Sequence, residues 1–216
     1  MNLENYKKIS SSLDKKVKLV AVSKGQPIEK IHEIYQLGQR DFGENYLQEL
    51  IAKKQHLPKD IVWHFMGNIH TNNVKEICIN SDYIHSVSRE KVLQKLTNIN
   101  VKNMPKILLQ LKLGDETSKS GFLPEEIFRI SYDKPLVKQL NIVGLMGISQ
   151  NTADQSKIRK QFSQISKLFN ELSKENQAFK FLSLGMSQDY NVALDCGSNM
   201  IRLGSIVFGD RKCFHK

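Results

Sequence analysis

Short apolar runs alternate with helical segments along the whole chain, and this alternation constrains the fold more than any other feature. Eight runs have the length and composition of β-strands. We expect strands at Val17–Ser23, Arg40–Gly43, Ile61–Met66, Tyr83–Val87, Lys106–Lys112, Ile142–Ile148, Phe181–Ser183 and Met200–Leu203. Each is short and mostly apolar on both faces, which is typical of strands that are covered on both sides.

Each run is followed by a segment in which apolar residues recur at helical spacing. The first such segment extends from Ile28 to Leu37 and lies between Pro27 and Gly38, which are good start and stop signals for a helix. The other helices are predicted at about Asn45–Lys54, Asn72–Ile79, Arg89–Leu96, Pro124–Ile130, Thr152–Leu172 and Gln188–Cys196, with a short final segment after the last strand.

Eight strands alternating with helices predict an α/β protein with a single-domain TIM-type (β/α)8 barrel. The 216 residues, 40% of them hydrophobic, suffice for one core, so residues 1–216 form one domain in which 1–16 is an N-terminal helical arm. A doubly wound open sheet would alternate too. Its dinucleotide-binding form carries G-x-G-x-x-G after the first strand, and the turn Ser23–Pro27 does not fit that motif.

Several sequence features favour a cytoplasmic protein. No stretch has the eighteen or so consecutive apolar residues of a membrane span, and the first residues lack the apolar core of a signal peptide. Cys78, Cys196 and Cys213 are far apart with no CxxC pair, which argues against a disulfide framework. The scattered histidines show no metal-binding spacing, so we expect no metal.

The formal net charge of +10 raises the question of nucleic-acid binding, because clustered lysine and arginine side chains neutralise phosphates. The basic residues are instead spread over the whole length, and no motif of aromatic and basic residues accompanies them. The sequence therefore argues against a nucleic-acid partner.

Lys24 follows directly on the first apolar run. In a parallel barrel every strand-to-helix turn meets at one mouth, so Lys24 is predicted to lie there. An amine that is partly removed from water has a lowered pKa and can act as a nucleophile towards a carbonyl.

The two turns after the last two strands are rich in glycine and serine. These turns commonly bind phosphate in such barrels, because backbone N–H groups point at the anion. The candidate donors are Ser183, Ser187, Gly204 and Ser205.

An amine opposite a phosphate site predicts a small phosphorylated carbonyl compound. The candidates are a sugar phosphate, attacked as in a Schiff-base aldolase, and pyridoxal 5'-phosphate (PLP). Arg202 discriminates between them, because a guanidinium has donors and no acceptor, and beside a pyridine nitrogen it can only donate. A salt bridge at the barrel rim is the alternative role for Arg202.

From Val17 to Arg211 the sequence resembles the YggS/PROSC-like pyridoxal phosphate homeostasis proteins, whose barrel is similar to the N-terminal domain of alanine racemase. Eight ordered segments carry this resemblance. They are Leu19–Lys24, Phe42–Tyr46, Trp63–Gly67, Ile84–Val87, Ser118–Phe122, Gly144–Met146, Leu182–Ser187 and Arg202–Ser205.

The resemblance implies that Lys24 forms a Schiff base with the aldehyde of PLP and that Arg202 meets the ring nitrogen. It further implies a phosphate site formed by Ser183, Ser187, Gly204 and Ser205. By the same resemblance, Asn45 and Met66 are pocket residues.

The chain departs from the family pattern at a few positions. Gly25 and Ser205 stand where the family usually has threonine, and Ser205 keeps the hydroxyl. The stretch Ile69–Asn73 differs from the more typical Leu-Gln-x-Asn-Lys, so the role of the loop with His70 and Asn73 is open.

The chemistry that PLP would need for turnover is incomplete in this sequence. Racemisation requires an acid or base on each face of the ring, and transamination a protonated pyridine nitrogen, which Arg202 opposes. The related racemases take one base from a separate domain, for which we expect no room in this chain. The alternative is a racemase or lyase whose second base comes from His85, Tyr46 or a partner subunit.

We therefore expect a protein of intracellular PLP homeostasis that holds the cofactor and passes it on, with little or no turnover. Its predicted partners are PLP and PLP-dependent apo-enzymes, and it is predicted to be a monomer or weak dimer.

Overall fold

The computed structural model describes residues 3–114 and 120–209, in which eight parallel strands form a closed barrel. The strands are β1 (Lys18–Val22), β2 (Asp41–Glu44), β3 (Val62–Phe65), β4 (Tyr83–Val87), β5 (Lys106–Gln110), β6 (Ile142–Met146), β7 (Phe181–Ser183) and β8 (Met200–Leu203). Each strand pairs with the next, and β1 closes the barrel by pairing with β8. The predicted single-domain TIM-type (β/α)8 fold is confirmed.

Helices cover the outside of the barrel. They are α1 (Leu3–Ser12), α2 (Ile28–Gln36), α3 (Leu47–His56), α4 (Val74–Asn80), α5 (Glu90–Thr97), α6 (Pro124–Tyr132), α7 (Lys134–Gln139), α8 (Gln155–Glu175), α9 (Tyr190–Asp195) and α10 (Ser205–Phe208). A short 3-10 turn, Thr71–Asn73, precedes α4.

Several helix ends differ from the prediction by one to three residues, and capping accounts for the start of α8 and for the unpredicted helix α7. The helix predicted from Thr152 begins at Gln155, because the Asp154 carboxylate accepts hydrogen bonds from the first amides of α8. The short helix α7 was not predicted. Asp133 caps it by accepting from Leu136 N at 3.0 Å, and a proline in its first turn fits that helix start.

The predicted N-terminal arm contains α1. Tyr6 and Ile9 of this helix are buried, and the Tyr6 hydroxyl donates to Gln39 Oε1 at 3.2 Å. The helix is thereby attached to the outside of the barrel, next to α10.

Side chains alternate between the inside of the barrel and the layer of helices. On β1, for example, Leu19 and Ala21 belong to the large core under the helices, whereas Val20 belongs to a smaller apolar cluster with Leu108 and Met200. The strands were predicted to be mostly apolar on both faces. The interior differs, because a row of polar side chains also lies there, fully or largely buried: Asp41, His64, His85, Ser183 and Arg202.

Some predicted features lie outside the described residues. These are Cys213, His215, Arg211 at the end of the resembling region, and Ser118 and Lys119 of the segment Ser118–Phe122. Across 3–114 and 120–209, none of the helices combines the length and the apolar character that a membrane crossing requires.

Candidate functional site

A cavity of about 1150 Å³ opens at the carboxyl ends of the strands. Seven of the eight predicted site residues line it, although they come from five different strands and the turns that follow them. They are Lys24, Asn45, Met66, Ser187, Arg202, Gly204 and Ser205. The eighth, Ser183, is fully buried below the cavity and is not among its lining residues.

Lys24 is half-buried in the turn after β1, and both of its peptide groups are fixed by side chains of α3. Lys53 Nζ donates to the carbonyl oxygen of Ser23 at 2.7 Å, and the amide of Gly25 donates to Glu49 Oε1 at 2.6 Å. Gly25 has a φ of +68°, which glycine adopts without strain, so the departure from threonine at this position suits the turn. The backbone that carries the candidate nucleophile is therefore held on both sides.

The side chains that fix this turn form a buried ionic cluster. Lys53 Nζ lies 2.7 Å from Glu44 Oε1 and 2.7 Å from Glu49 Oε1, and the Ser23 hydroxyl donates to Glu44 Oε1 at 2.6 Å. Glu44 is fully buried, and its Oε2 has no hydrogen-bond partner among the described residues. Burial raises the pKa of Glu44 to about 7, although the Lys53 charge opposes the shift.

The raised pKa of Glu44 predicts that stability falls as the pH rises. The folded protein keeps the Glu44 proton up to about pH 7, whereas the unfolded chain releases it near the ordinary value of 4.5. Because the folded state binds more protons in this window, unfolding becomes easier between pH 5 and 8, by up to about 3 kcal/mol. The free energy of unfolding, measured with urea at pH 5 and at pH 8, should fall less between the two pH values in the Glu44→Gln variant than in the wild type. The exposed Glu29→Gln control should behave like the wild type, and an equal fall in all three proteins would contradict the prediction.

The turns after β7 and β8 converge on the Ser187 hydroxyl. The amides of Gly204 and Ile206 donate to Ser187 Oγ at 3.3 and 3.4 Å. Asp189 fixes the β7 turn, because its carboxylate accepts from the amide of Met186 and from the hydroxyl of Ser149, both at 2.6 Å. Backbone amides and hydroxyl groups thus lie together at one side of the cavity, and donor sets of this kind are suited to a phosphate.

Arg202 lies on β8 and is buried except where it meets the cavity. Its Nη1 donates to the carbonyl and hydroxyl oxygens of Ser183 at 2.7 and 2.6 Å, and its Nη2 donates to the carbonyl of Gly147 at 2.9 Å. Burial lowers the pKa of Arg202 to about 10, so the guanidinium stays protonated at neutral pH. Ser183 therefore contacts Arg202, and it does not belong to the group of donors around Ser187.

Asn45 and Met66 lie side by side where β2 and β3 end. A Cβ at Gly67 would overlap the carbonyl of Asn45, and one at Gly43 would overlap the Met66 methyl group. Glycine at these two positions allows the β3 turn and the Met66 side chain to pack closely against β2. This packing brings both predicted pocket residues to the cavity wall.

The residues named as alternative bases do not reach the cavity. His85 is fully buried inside the barrel, with its Nε2 2.8 Å from His64 and its Nδ1 3.2 Å from Ser183. Tyr46, with 67% of its surface exposed, is not among the cavity-lining residues. His70 precedes the 3-10 turn and Asn73 ends it, and both residues are exposed. No group of three metal-ligating side chains occurs in the part of the chain that the structure describes.

Sequence reasoning missed the buried Glu44–Lys53–Glu49 cluster and the polar row inside the barrel. Glu44 stands in the segment Phe42–Tyr46, in which the sequence shows a resemblance but no sign of burial. Lys53 and Glu49 have the spacing of an ordinary solvated pair on a helix surface. Period-two alternation along β2 and β3 could have flagged Asp41 and His64 as inward-facing.

Comparisons with known proteins agree with this geometry. The family model described as "Alanine racemase, N-terminal domain" matches residues 3–212. The chain is 36% identical over 202 residues to the pyridoxal phosphate homeostasis protein of Vibrio cholerae, covering 90% of this chain and 86% of that protein.

Solved structures of a family member and of an alanine racemase are also similar to this chain. PipY of Synechococcus elongatus is 33% identical and covers 97% of this chain, with all of the PipY chain matched. The TM-score is 0.89 for its structure without PLP and 0.85 for its structure with PLP bound. Alanine racemase from E. faecalis shares the fold at a TM-score of 0.78 and 18% identity, with 96% of this chain and 57% of that chain covered.

Proposed function

Because this chain belongs to the family of the alanine racemase N-terminal domain, together with the pyridoxal phosphate homeostasis proteins, we propose that it binds PLP in the cavity at the barrel mouth. The observation that carries the proposal is the convergence of Lys24, Arg202 and the donors around Ser187 on one cavity. PipY, a relative of similar length, has been solved with PLP bound. The proposed role is PLP homeostasis, in which the protein holds the cofactor and passes it on.

The residues present fit a phosphorylated ligand with a carbonyl group. On one side, the Ser187 hydroxyl and the amides of Gly204 and Ile206 form a cluster of donors, with Ser205 next to them. These groups would hold the phosphate, because an anion satisfies several N–H and O–H donors at once. When bound, PLP supplies an aldehyde that a lysine amine can take up with loss of water, and a pyridine ring that accepts a hydrogen bond.

Lys24 is the residue that we propose to hold the cofactor covalently, as a Schiff base. Its side chain lines the cavity, and its two peptide groups are fixed by Lys53 and Glu49. Fixing the backbone on both sides leaves only the side-chain torsions to be ordered, which favours attack at a defined point. Asn45 and Met66 form the neighbouring wall.

Arg202 determines what the site can do with the ring. A guanidinium with a pKa of about 10 is protonated at neutral pH and can only donate, so it would keep a nearby pyridine nitrogen unprotonated. An unprotonated ring is a weak electron sink. This property, together with the placement of His85 and Tyr46 away from the cavity, supports holding and transfer of PLP with little or no turnover.

The direct test is reduction of the PLP-loaded protein with borohydride, followed by mass spectrometry of its peptides. We expect the peptide that contains Lys24 to gain the mass of PLP minus water plus two hydrogens. The peptide that contains Lys53, a buried lysine beside the same turn, should keep its mass. An unmodified Lys24 peptide from a protein saturated with PLP would contradict covalent binding at this residue.

A further inference from the structure

A line of hydrogen-bonded side chains crosses the inside of the barrel from the cavity towards the opposite end. At the cavity end Arg202 Nη1 lies 2.6 Å from Ser183 Oγ, and this hydroxyl lies 3.2 Å from His85 Nδ1. The second half of the line continues from His85 Nε2, which lies 2.8 Å from His64 Nδ1. All four of these side chains are buried.

The line ends at a carboxylate near the start of β2. His64 Nε2 lies 2.9 Å from Asp41 Oδ1, and Lys18 Nζ donates to the same oxygen at 2.9 Å. Burial alone would raise the pKa of Asp41, but the hydrogen bonds from His64 and Lys18 outweigh it, so Asp41 is ionised at neutral pH. We call Asp41, His64, His85 and Ser183 the barrel relay.

The carboxylate end of the barrel relay fixes the direction of every hydrogen bond in it. An ionised Asp41 can only accept, so His64 carries its proton on Nε2, and its Nδ1 accepts from His85 Nε2. The neutral His85 ring then has a lone pair on Nδ1, which accepts from the Ser183 hydroxyl. Arg202 can only donate, so Ser183 Oγ accepts from the guanidinium.

The arginine end is compatible with this order but does not impose it, because a serine hydroxyl has two lone pairs and could accept from both Arg202 and His85. With the opposite tautomer of either ring, two N–H groups or two lone pairs would face each other in a buried contact, which is costly. Both histidines are neutral in this arrangement, in keeping with burial, which lowers the pKa of each.

We propose that Asp41, His64 and His85 are positioning residues for Arg202, acting through the hydroxyl of Ser183. They orient this hydroxyl as an acceptor towards the guanidinium and thereby set where the remaining N–H groups of Arg202 enter the cavity. Asp41, at the far end of the barrel, thus helps to define how the Arg202 guanidinium contacts the ring of the bound cofactor. The role of Arg202 towards a cofactor rests on the proposed function, whereas the order of the relay does not.

The first test needs no cofactor. In ligand-free protein labelled with ¹⁵N-histidine, long-range ¹H–¹⁵N spectra at pH 7.5 report which nitrogen of each ring carries the proton. We expect His64 and His85 to be Nε2–H tautomers. A proton on Nδ1 of either ring, or an imidazolium, would overturn the relay.

The second test compares Asp41→Asn with Asp60→Asn, an exposed carboxylate that pairs with Arg40 on the outside of the barrel. An asparagine amide can also donate to His64, so the direction of the relay is no longer fixed at that end. We expect mixed tautomers, and exchange of the Arg202 Nη–H protons with solvent about tenfold faster, in Asp41→Asn only. Exchange rates that match those of Asp60→Asn would overturn the positioning role.

Measuring PLP affinity in the wild type and in both variants distinguishes failure of the relay from failure of the proposed function. Affinity should fall about three- to tenfold in Asp41→Asn and stay unchanged in Asp60→Asn, although neither residue lines the cavity. If the wild type fails to bind PLP, the proposed function fails, and the relay is still judged by the tautomers and by exchange at Arg202. If Asp41→Asn does not fold, the wild-type tautomers alone can overturn the relay.

Discussion

Replacing Lys24 by alanine is expected to abolish borohydride labelling and to lower PLP retention at least about 100-fold, which corresponds to about 2.8 kcal/mol. The variant loses the amine that we propose to bind the aldehyde but keeps the donors around Ser187 and the Arg202 guanidinium. Binding should therefore become weak and reversible. Gel filtration of loaded protein, followed by phosphate and absorbance assays, measures the retained cofactor.

Lys30→Ala is the matched control for this experiment. Lys30 lies on α2, close along the chain, and does not itself line the cavity; it donates to Gln26 Oε1 and to the carbonyl of Phe208. This variant should retain PLP and be labelled at Lys24 like the wild type. Equal retention by Lys24→Ala and Lys30→Ala would show that Lys24 is not the attachment point.

Replacing Lys53 by methionine is expected to destabilise the protein by about 3 kcal/mol or more at pH 8. The change leaves the fully buried Glu44 without its cation and removes the hydrogen bond to the Ser23 carbonyl. An uncompensated buried charge must be protonated or hydrated, and either costs stability. Urea unfolding followed by circular dichroism gives the free energy of unfolding.

The neighbouring lysine provides the control. Lys54 follows on the same helix, is exposed, and donates to the carbonyl of Asn80. Lys54→Met should change stability by less than about 0.5 kcal/mol. The double variant Glu44→Gln/Lys53→Met should recover part of the loss, because no charge is then left buried. A double variant less stable than the sum of the single changes would refute the ionic account.

The barrel could be predicted from sequence because all eight strands and most of the helices carry their own local signals. The strands β4, β7 and β8 have the predicted bounds, and α2 begins where Pro27 indicated. The bounds of α8 depended on Asp154 as a cap, which periodicity alone does not show. The helix α7 is too short for a periodic signal to be recognised.

The candidate site could be predicted in part for a different reason. Lys24, Ser187, Gly204 and Ser205 follow the ends of strands, and parallel topology alone brings such residues to one cavity. Ser183 has the same sequence signature, but it is the last residue of β7 and points into the barrel. Which way a residue at a strand end points depends on register.

Contacts between distant charged residues could not be predicted from this one sequence. Lys53 meets Glu44 only because α3 packs against the strand that carries Glu44, and His85 meets Ser183 across the barrel. Each of these residues has a commoner interpretation as a solvated charge or an isolated polar side chain. The structure was needed to show that they are buried together.

The pairing of β1 with β8 leaves the sheet without an edge. Open edges let other polypeptides dock by adding a strand, and a closed barrel removes that mode of recognition. Under the proposed function, an enzyme that receives PLP would therefore contact turns, loops or outer helices, and not a strand edge. The specificity of such docking would then depend on side-chain contacts, because a closed barrel offers no strand edge for backbone hydrogen bonds.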